Sequence, residues 1–242
     1  MKKTLLFIAL ASSIFSVSAK DLTFGMETTY PPFEFMDENN QLVGFDVDIA
    51  NKICEDLQQK CQFVNQSFDS LIPSLKTRRI DATISGIDIT PERSEQVDFT
   101  QPYYDNSAQF IAINGTVDSI DSLNGKRVGI QNGTTHQKYL MEKFPQIEVV
   151  SYDSYQYAVV DLKAGRIDAI FSDSAVADEW LKNEKSLNKV GDRVVDPEYF
   201  GAGLGIAVRK GNNSLLEQFN ESLSKMKNDG SYDKIYAKWF AQ

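Results

Sequence analysis

The sequence predicts an α/β protein built as two similar lobes, and three observations carry that reading. Strand-like and helix-like segments alternate along the chain, the pattern of mainly parallel sheets flanked by helices. One phrase occurs twice: LKTRRIDATIS at residues 75–85 and LKAGRIDAIFS at residues 162–172 are identical at seven of eleven positions. Each copy reads helix, tight turn, buried strand, small polar residue. The chain of 242 residues is long enough for two modest lobes, each with its own core.

The chain opens with MKKTLLFIALASSIFSVSAK. Lys2 and Lys3, the apolar run over residues 4–15, and the small residues Val17, Ser18 and Ala19 spell a cleaved secretory signal over residues 1–19, cut before Lys20. The apolar run is shorter than the roughly 20 residues a membrane-spanning helix needs. No Cys stands at the cut to carry a lipid, so a mature protein free in solution is expected. Losing two lysines takes the formal charge from −9 to −11. An acidic exported chain with no basic patch interleaved with aromatics is a poor partner for nucleic acid or an anionic membrane.

DLTFGMETTY starts as a strand and turns at Pro31 and Pro32. GFDVDIANKICEDLQQK sets Phe45, Ile49, Ile53 and Leu57 at helical spacing. CQFVNQ is a short strand, FDSLIPSLKTRR a short helix with Asp69 as its expected N-cap, and IDATISG a strand. The only cysteines, Cys54 and Cys61, lie too far apart for one helical face. A turn must intervene, and in an exported chain a disulfide would tie the helix end to the next strand. One His and no spare thiol leave no ligand set for zinc, haem or an iron–sulfur cluster, so no cofactor is expected.

VGIQNGTTHQKYLMEKF reads as strand, loop and a helix starting near Thr134. The first turn of that helix offers free N–H groups to an anion, and Gly133 allows close backbone approach. Plain capping by Thr134 or Thr135 is the alternative. YYDNSAQFIAI and YFGAGLGIAV are expected to cross between lobes as hinges. Residues 20–106 plus 202–242 would form the first lobe, onto which the C-terminal helices pack back, and residues 107–201 the second.

In open α/β sheets, ligands sit beyond the carboxyl ends of strands. The repeat therefore places Ser85 and Gly86 opposite Ser172 and Asp173, lining one cleft. SGIDITPER adds Asp88 and Arg93. Arg93 and the Thr135 amide suit a carboxylate, while Asp88 and Asp173 suit an ammonium: the two ends of a free amino acid. The plainer alternatives are an Arg93–Glu95 surface pair and Asp173 as a helix cap. Tyr30 and Phe68 border strand ends and offer ring faces to a guanidinium, with Glu27 beside them as a bidentate acceptor or simply a solvated charge. His136 reads as a partly exposed helix residue rather than a ligand contact.

The segments TTYPPFEF, GFDVDIANKIC, FDSLIPSLK, IDATISGIDITPERSEQVDFTQPYY, GKRVGIQNGTTHQKYL, GRIDAIFSD and YFGAGLGIAVRK carry a resemblance over essentially all of the mature chain. It resembles the periplasmic solute-binding proteins of polar and basic amino-acid ABC transporters, and among them the arginine-binding members. The resemblance implies a type II periplasmic binding protein fold, two mainly parallel lobes joined by two hinge crossings. It further implies a monomer in the periplasm that binds L-arginine or a relative such as lysine, ornithine or histidine, and delivers it to an inner-membrane permease. By the same resemblance Arg93 clamps the carboxylate with Gly86 and Thr135, and Asp173 takes the ammonium. Tyr30 and Phe68 sandwich the side chain, Glu27 binds its cationic end, Ser85 offers a carbonyl or hydroxyl, and Cys54 matches Cys61 in a disulfide. Asp88, Gln131 and Glu27 depart from broader-specificity relatives, and Asp88 is left open between the ammonium and the guanidinium. An enzyme on the same scaffold, such as a small-molecule dehydratase, is the alternative; it would need an acid/base pair poised near neutrality. A sensor ectodomain is disfavoured, since no membrane segment follows Gln242.

Overall fold

The computed structural model describes residues 21–241; the signal-peptide reading of residues 1–19 lies outside the described residues. Two five-stranded sheets organise the chain. The first runs, edge to edge, Cys61–Asn65, Leu22–Met26, Ala82–Thr83, Ala207–Arg209, Val97–Phe99. The second runs Glu148–Tyr152, Arg127–Gln131, Ala169–Asp173, Ala108–Ile113, Leu187–Val194. In both, the first three strands pair in parallel and the fourth is antiparallel to its two neighbours. Four of five strands thus share a direction in each mixed sheet, a type II periplasmic binding protein fold.

The reversed strand has a simple cause. Ala108–Ile113 and Ala207–Arg209 are the strands the chain reaches on arriving from the other sheet. A strand entered at the cleft runs away from it, so its start pairs with a neighbour's end: Ala108 faces Asp173 and Ala207 faces Thr83. The two crossings are bonded to each other, with Tyr103 N–H donating to Leu204 O (2.9 Å) and Leu204 N–H to Tyr104 O (2.8 Å).

The duplicated phrase occupies the same place in both sheets. The helix Leu71–Lys76 leads to Ala82–Thr83 and the helix Tyr155–Lys163 to Ala169–Asp173, each the third strand of its sheet. Ile80 and Ile167 are buried at the turn. Asp81 Oδ2 accepts from Thr23 N–H (3.1 Å) and Asp168 Oδ2 from Arg127 N–H (2.8 Å), so each carboxylate pins the start of the neighbouring strand. Both turns need a left-handed residue, supplied by Arg78 (φ 61°) in one copy and Gly165 (φ 69°) in the other.

Local expectations hold with one correction. The helix Phe45–Asp56 buries Phe45, Ile49 and Ile53 on one stripe. The disulfide Cys54–Cys61 (Cα–Cα 5.8 Å) ties it to the next strand. Asp69, however, caps nothing: a 3-10 turn, Phe68–Ser70, precedes the helix Leu71–Lys76, whose cap position is Ser70. The C-terminal helices Asn213–Asp229 and Ser231–Phe240 pack on the first sheet and its helix. Phe219 stacks on Phe24 at 5.8 Å, Phe240 meets Phe45 at 5.0 Å, and Ser222 and Lys225 bond Asp56. The fully buried rings of Phe24, Phe45 and Phe219 each contribute about 1.5–3 kcal/mol. Among the described residues no helix is long and apolar enough to cross a membrane.

Candidate ligand-binding cleft

The carboxyl ends of the two sheets meet face to face. Tyr30, Phe68, Gly86, Asp88 and Arg93 from one side close on Gln131, Thr134, Thr135, His136 and Asp173 from the other, leaving about 10 Å³ between them. That is room for roughly one water.

Two acids dominate the centre. Asp88 and Asp173 are each 2% exposed, and the Asn106 amide bridges them, its Nδ2 lying 2.7 Å from an oxygen of each. The Thr135 hydroxyl donates to Asp88 Oδ2 (2.6 Å) and the Tyr30 hydroxyl to Asp173 Oδ2 (2.6 Å). Asp173 occupies the N-cap position of the helix Ser174–Asn183, but its side chain makes no capping bond. Burial and then the neighbouring Asp173 push Asp88 up to about 6, with Arg93 and His136 pulling the other way. Asn, Thr and Tyr are neutral donors, so they satisfy the oxygens of these acids without cancelling their charge.

Arg93 gets there through helix-start chemistry. Thr90 caps the helix Pro91–Gln96, accepting from Arg93 N–H (3.2 Å), and Pro91 opens it. The turn formers of SGIDITPER therefore hold Asp88 just before the helix and Arg93 in its first turn. The guanidinium is buried; it donates to Asp88 O (3.0 Å) and, across the cleft, to Gly133 O (3.1 Å), and lies 5.4 Å from the Phe68 ring centre. It turns inward, away from any surface pairing with Glu95. Burial lowers its pKa from the ordinary arginine value. Across the cleft, Thr134 caps the helix Thr135–Lys143, which frees the Thr135 side chain for Asp88. Gly133 (φ 74°) lies so close to Asp69 of the opposite side that an added Cβ would sit 3.1 Å from the Asp69 Cβ.

Glu27 and Ser85 sit just behind. The Ser85 hydroxyl accepts from Glu27 N–H (2.9 Å), and Glu27 Oε1 accepts from the Thr29 hydroxyl (2.5 Å). Gln131 donates to Asp153 O (3.0 Å), and its amide beside the Glu27 carboxyl helps to hold that group's pKa down. Glu27 is buried rather than solvated; its Oε2 has no partner, and burial raises its pKa. Gly86 N–H is committed to Asp46 Oδ2 (2.9 Å), so here it points away from the cleft.

Sequence reasoning missed several neighbours. His136 is not a partly exposed helix residue: it is 2% exposed, with Nε2 3.2 Å from Asp173 Oδ1. It belongs to the first helical turn that aims Thr135 at the cleft, so both side chains face inward. Asn106, Glu34 and Asp46 were also unforeseen. An Asn in a crossing and an acid in a helix's first turn carry no distinctive signal.

Residues 22–242 match the family model of the bacterial extracellular solute-binding proteins, family 3. The chain belongs to that family. This solute-binding protein is 54% identical over 243 residues to the ABC transporter arginine-binding protein 1 of Escherichia coli K12, covering all of both chains. It is 47% identical over 239 residues to the arginine-binding periplasmic protein of Mannheimia haemolytica, covering 99% of this chain and 98% of the other. Among solved structures, a Salmonella typhimurium periplasmic binding protein studied for its high arginine specificity superposes with a TM-score of 0.89 at 48% identity, covering 92% and 100%. These relatives are binding proteins, and this chain is a solute-binding protein rather than an enzyme.

Proposed function

We propose that this protein captures L-arginine in the cleft and passes it to an inner-membrane ABC permease, acting as a periplasmic monomer after removal of its signal segment. The observation that carries the reading is the pair of buried acids, Asp88 and Asp173, held only by neutral donors and a histidine beside a buried Arg93 whose bonds here go to carbonyls. A free amino acid has the charges such a cleft lacks. Its carboxylate goes to Arg93 and Thr135, and its ammonium between Asp173 and Asp88, where the Asn106 amide now lies. The unpartnered Oε2 of Glu27 suits a guanidinium, with Tyr30 and Phe68 against its faces and Ser85 and Gln131 beside it. The arginine-binding relatives support the same choice.

Closure explains selectivity. Ligand bridging both lobes, residues 20–106 plus 202–242 and residues 107–201, favours the shut form over the open one. A ligand lacking one charge strands a buried partner, at a cost of roughly 2–5 kcal/mol. Calorimetry should show Arg93→Ala losing at least about 30-fold in arginine affinity. Glu27→Gln should weaken arginine while sparing glutamine, and arginine should raise Tm well above what glutamine achieves. Undiminished affinity in Arg93→Ala rejects the carboxylate clamp, and equal Tm shifts reject the cationic pocket.

A further inference from the structure

Behind the Ser85 and Gly86 strand end lies a second acidic pair that the ligand contacts do not use. Glu34, on the short strand Glu34–Met36, and Asp46, in the first turn of the helix Phe45–Asp56, are both 0% exposed. Their side chains lie within hydrogen-bond reach of each other. Each reaches the strand end. The Ser85 hydroxyl donates to Glu34 Oε1 (2.5 Å), and Gly86 N–H donates to Asp46 Oδ2 (2.9 Å), which also accepts from the Tyr103 hydroxyl (2.9 Å). The remaining oxygens, Glu34 Oε2 and Asp46 Oδ1, are buried and have no partner while both groups count as carboxylates. Two acceptors cannot satisfy each other, but one proton between them satisfies both at once.

We infer that Glu34 and Asp46 share a proton at neutral pH and, as a neutral acid joined to a carboxylate, position Ser85 and Gly86 at the ligand cleft. Glu34 holds the proton and donates it to Asp46 Oδ1, and Asp46 carries the charge. Asp46 is suited to that role, with two donors on Oδ2 and the positive end of its helix beneath it. The ionisable groups that bear most on the pair are Glu27, Tyr103 and Asp173, none of them a cation. Burial and the Asp46 charge accordingly push Glu34 well above the carboxylate range. Burial raises Asp46 to about 6, with Gly86 N–H and the Tyr103 hydroxyl holding it down. The chain of bonds continues outward: the Ser85 hydroxyl that donates to Glu34 accepts from Glu27 N–H. The pair and Glu27, the residue given the guanidinium above, thus share one hydroxyl.

The sign of the pH effect follows. Both folded-state values lie above those of the unfolded chain. Their stabilising share is full at acid pH, below the unfolded values, and is lost as pH rises through about 6 for Asp46 and higher for Glu34. Glu34→Gln keeps the shape, with an amide N–H for Asp46 and a C=O for Ser85, but has no proton to lose.

The test has two arms on the full mature chain. Infrared spectroscopy of the ligand-free wild type at pH 7 should show a protonated carboxyl band that Glu34→Gln removes, and the Tm of Glu34→Gln should gain on the wild type as pH rises from 6 to 9. No such band, or parallel Tm curves, overturns the shared proton. Calorimetry with arginine should show Glu34→Ala weakened at least tenfold and Glu34→Gln restored to within about threefold of wild type. A Gln variant weakened tenfold or more against wild type overturns the positioning role, and it decides the matter even where Glu34→Ala fails to fold. The second arm rests on the arginine reading. Wild-type protein that binds no arginine sinks that reading and this positioning role together, whereas the infrared arm judges the proton by itself.

Discussion

The duplicated unit ends differently in its two copies, and the difference divides the work of the cleft. In the first sheet it ends in Ser85 and Gly86, a hydroxyl and a backbone amide that both turn back to the buried acids Glu34 and Asp46. In the second it ends in Ser172 and Asp173, and the acid itself stands in the cleft, bonded to Tyr30 and Asn106 and beside His136. One copy keeps its carboxyl groups behind the strand end; the other presents one at the front. A shared register pairs Thr83 with Gly25 and Ile170 with Gly129, but the first copy's strand stops at Thr83 and the second's runs on through Asp173; the residue that closes each copy decides whether the edge is neutral or charged. Nothing in the strand register differs between the two.

That contrast can be broken most directly at Asp173. Asp173→Asn should cost at least about 30-fold in arginine affinity by calorimetry, since it removes a buried charge and keeps the shape. Retained affinity would mean that the second copy's charged end is not what the ligand meets. The neutral end should respond less. Gly86 has φ 56°, and a Cβ there would lie 3.1 Å from Tyr30 Cε1. Gly86→Ala should cost about 1–2 kcal/mol of stability through the left-handed backbone. It should also weaken arginine by about tenfold through displacement of the ring, read by denaturation and calorimetry. The smallest effect is expected in the turn the copies share. Arg78→Gly matches the copy that has Gly165 and should add about 0.5–1 kcal/mol, raising Tm by about 1–3 °C without altering arginine affinity. A destabilised Arg78→Gly would show that the two turns are not equivalent.

Much of this frame could be read beforehand, because repetition and charge are properties of sequence. The repeated Ile-Asp-Ala phrase marked the third strand of both sheets, and placing the two copies' ends together put Gly86 and Asp173 on one cavity. Other features were hidden for physical reasons. Thr29–Tyr30 and Leu42–Val43 are two-residue strands, too short for any periodicity to register, yet with Glu34–Met36 they set Tyr30 and Glu34 in place. Asp46 reads as an ordinary acid complementing a helix start, and only the folded chain shows it sealed in, 0% exposed and bonded to Gly86 and Tyr103. His136 misled because an isolated imidazole is usually wet, whereas here the helix begins one residue earlier and turns it inward. Asn106 gave no sign, since what matters is the meeting of Asp88 and Asp173 on either side of it.

The lacing of the two crossings at Leu204 has a mechanical result. Two short straps bonded side by side leave one easy motion, a swing about the line they define, and resist sliding or screwing of one half over the other. If the halves open and shut as proposed, Asp88 meets Asp173 in the same alignment at every closure, much as a door on two pins always finds its own latch.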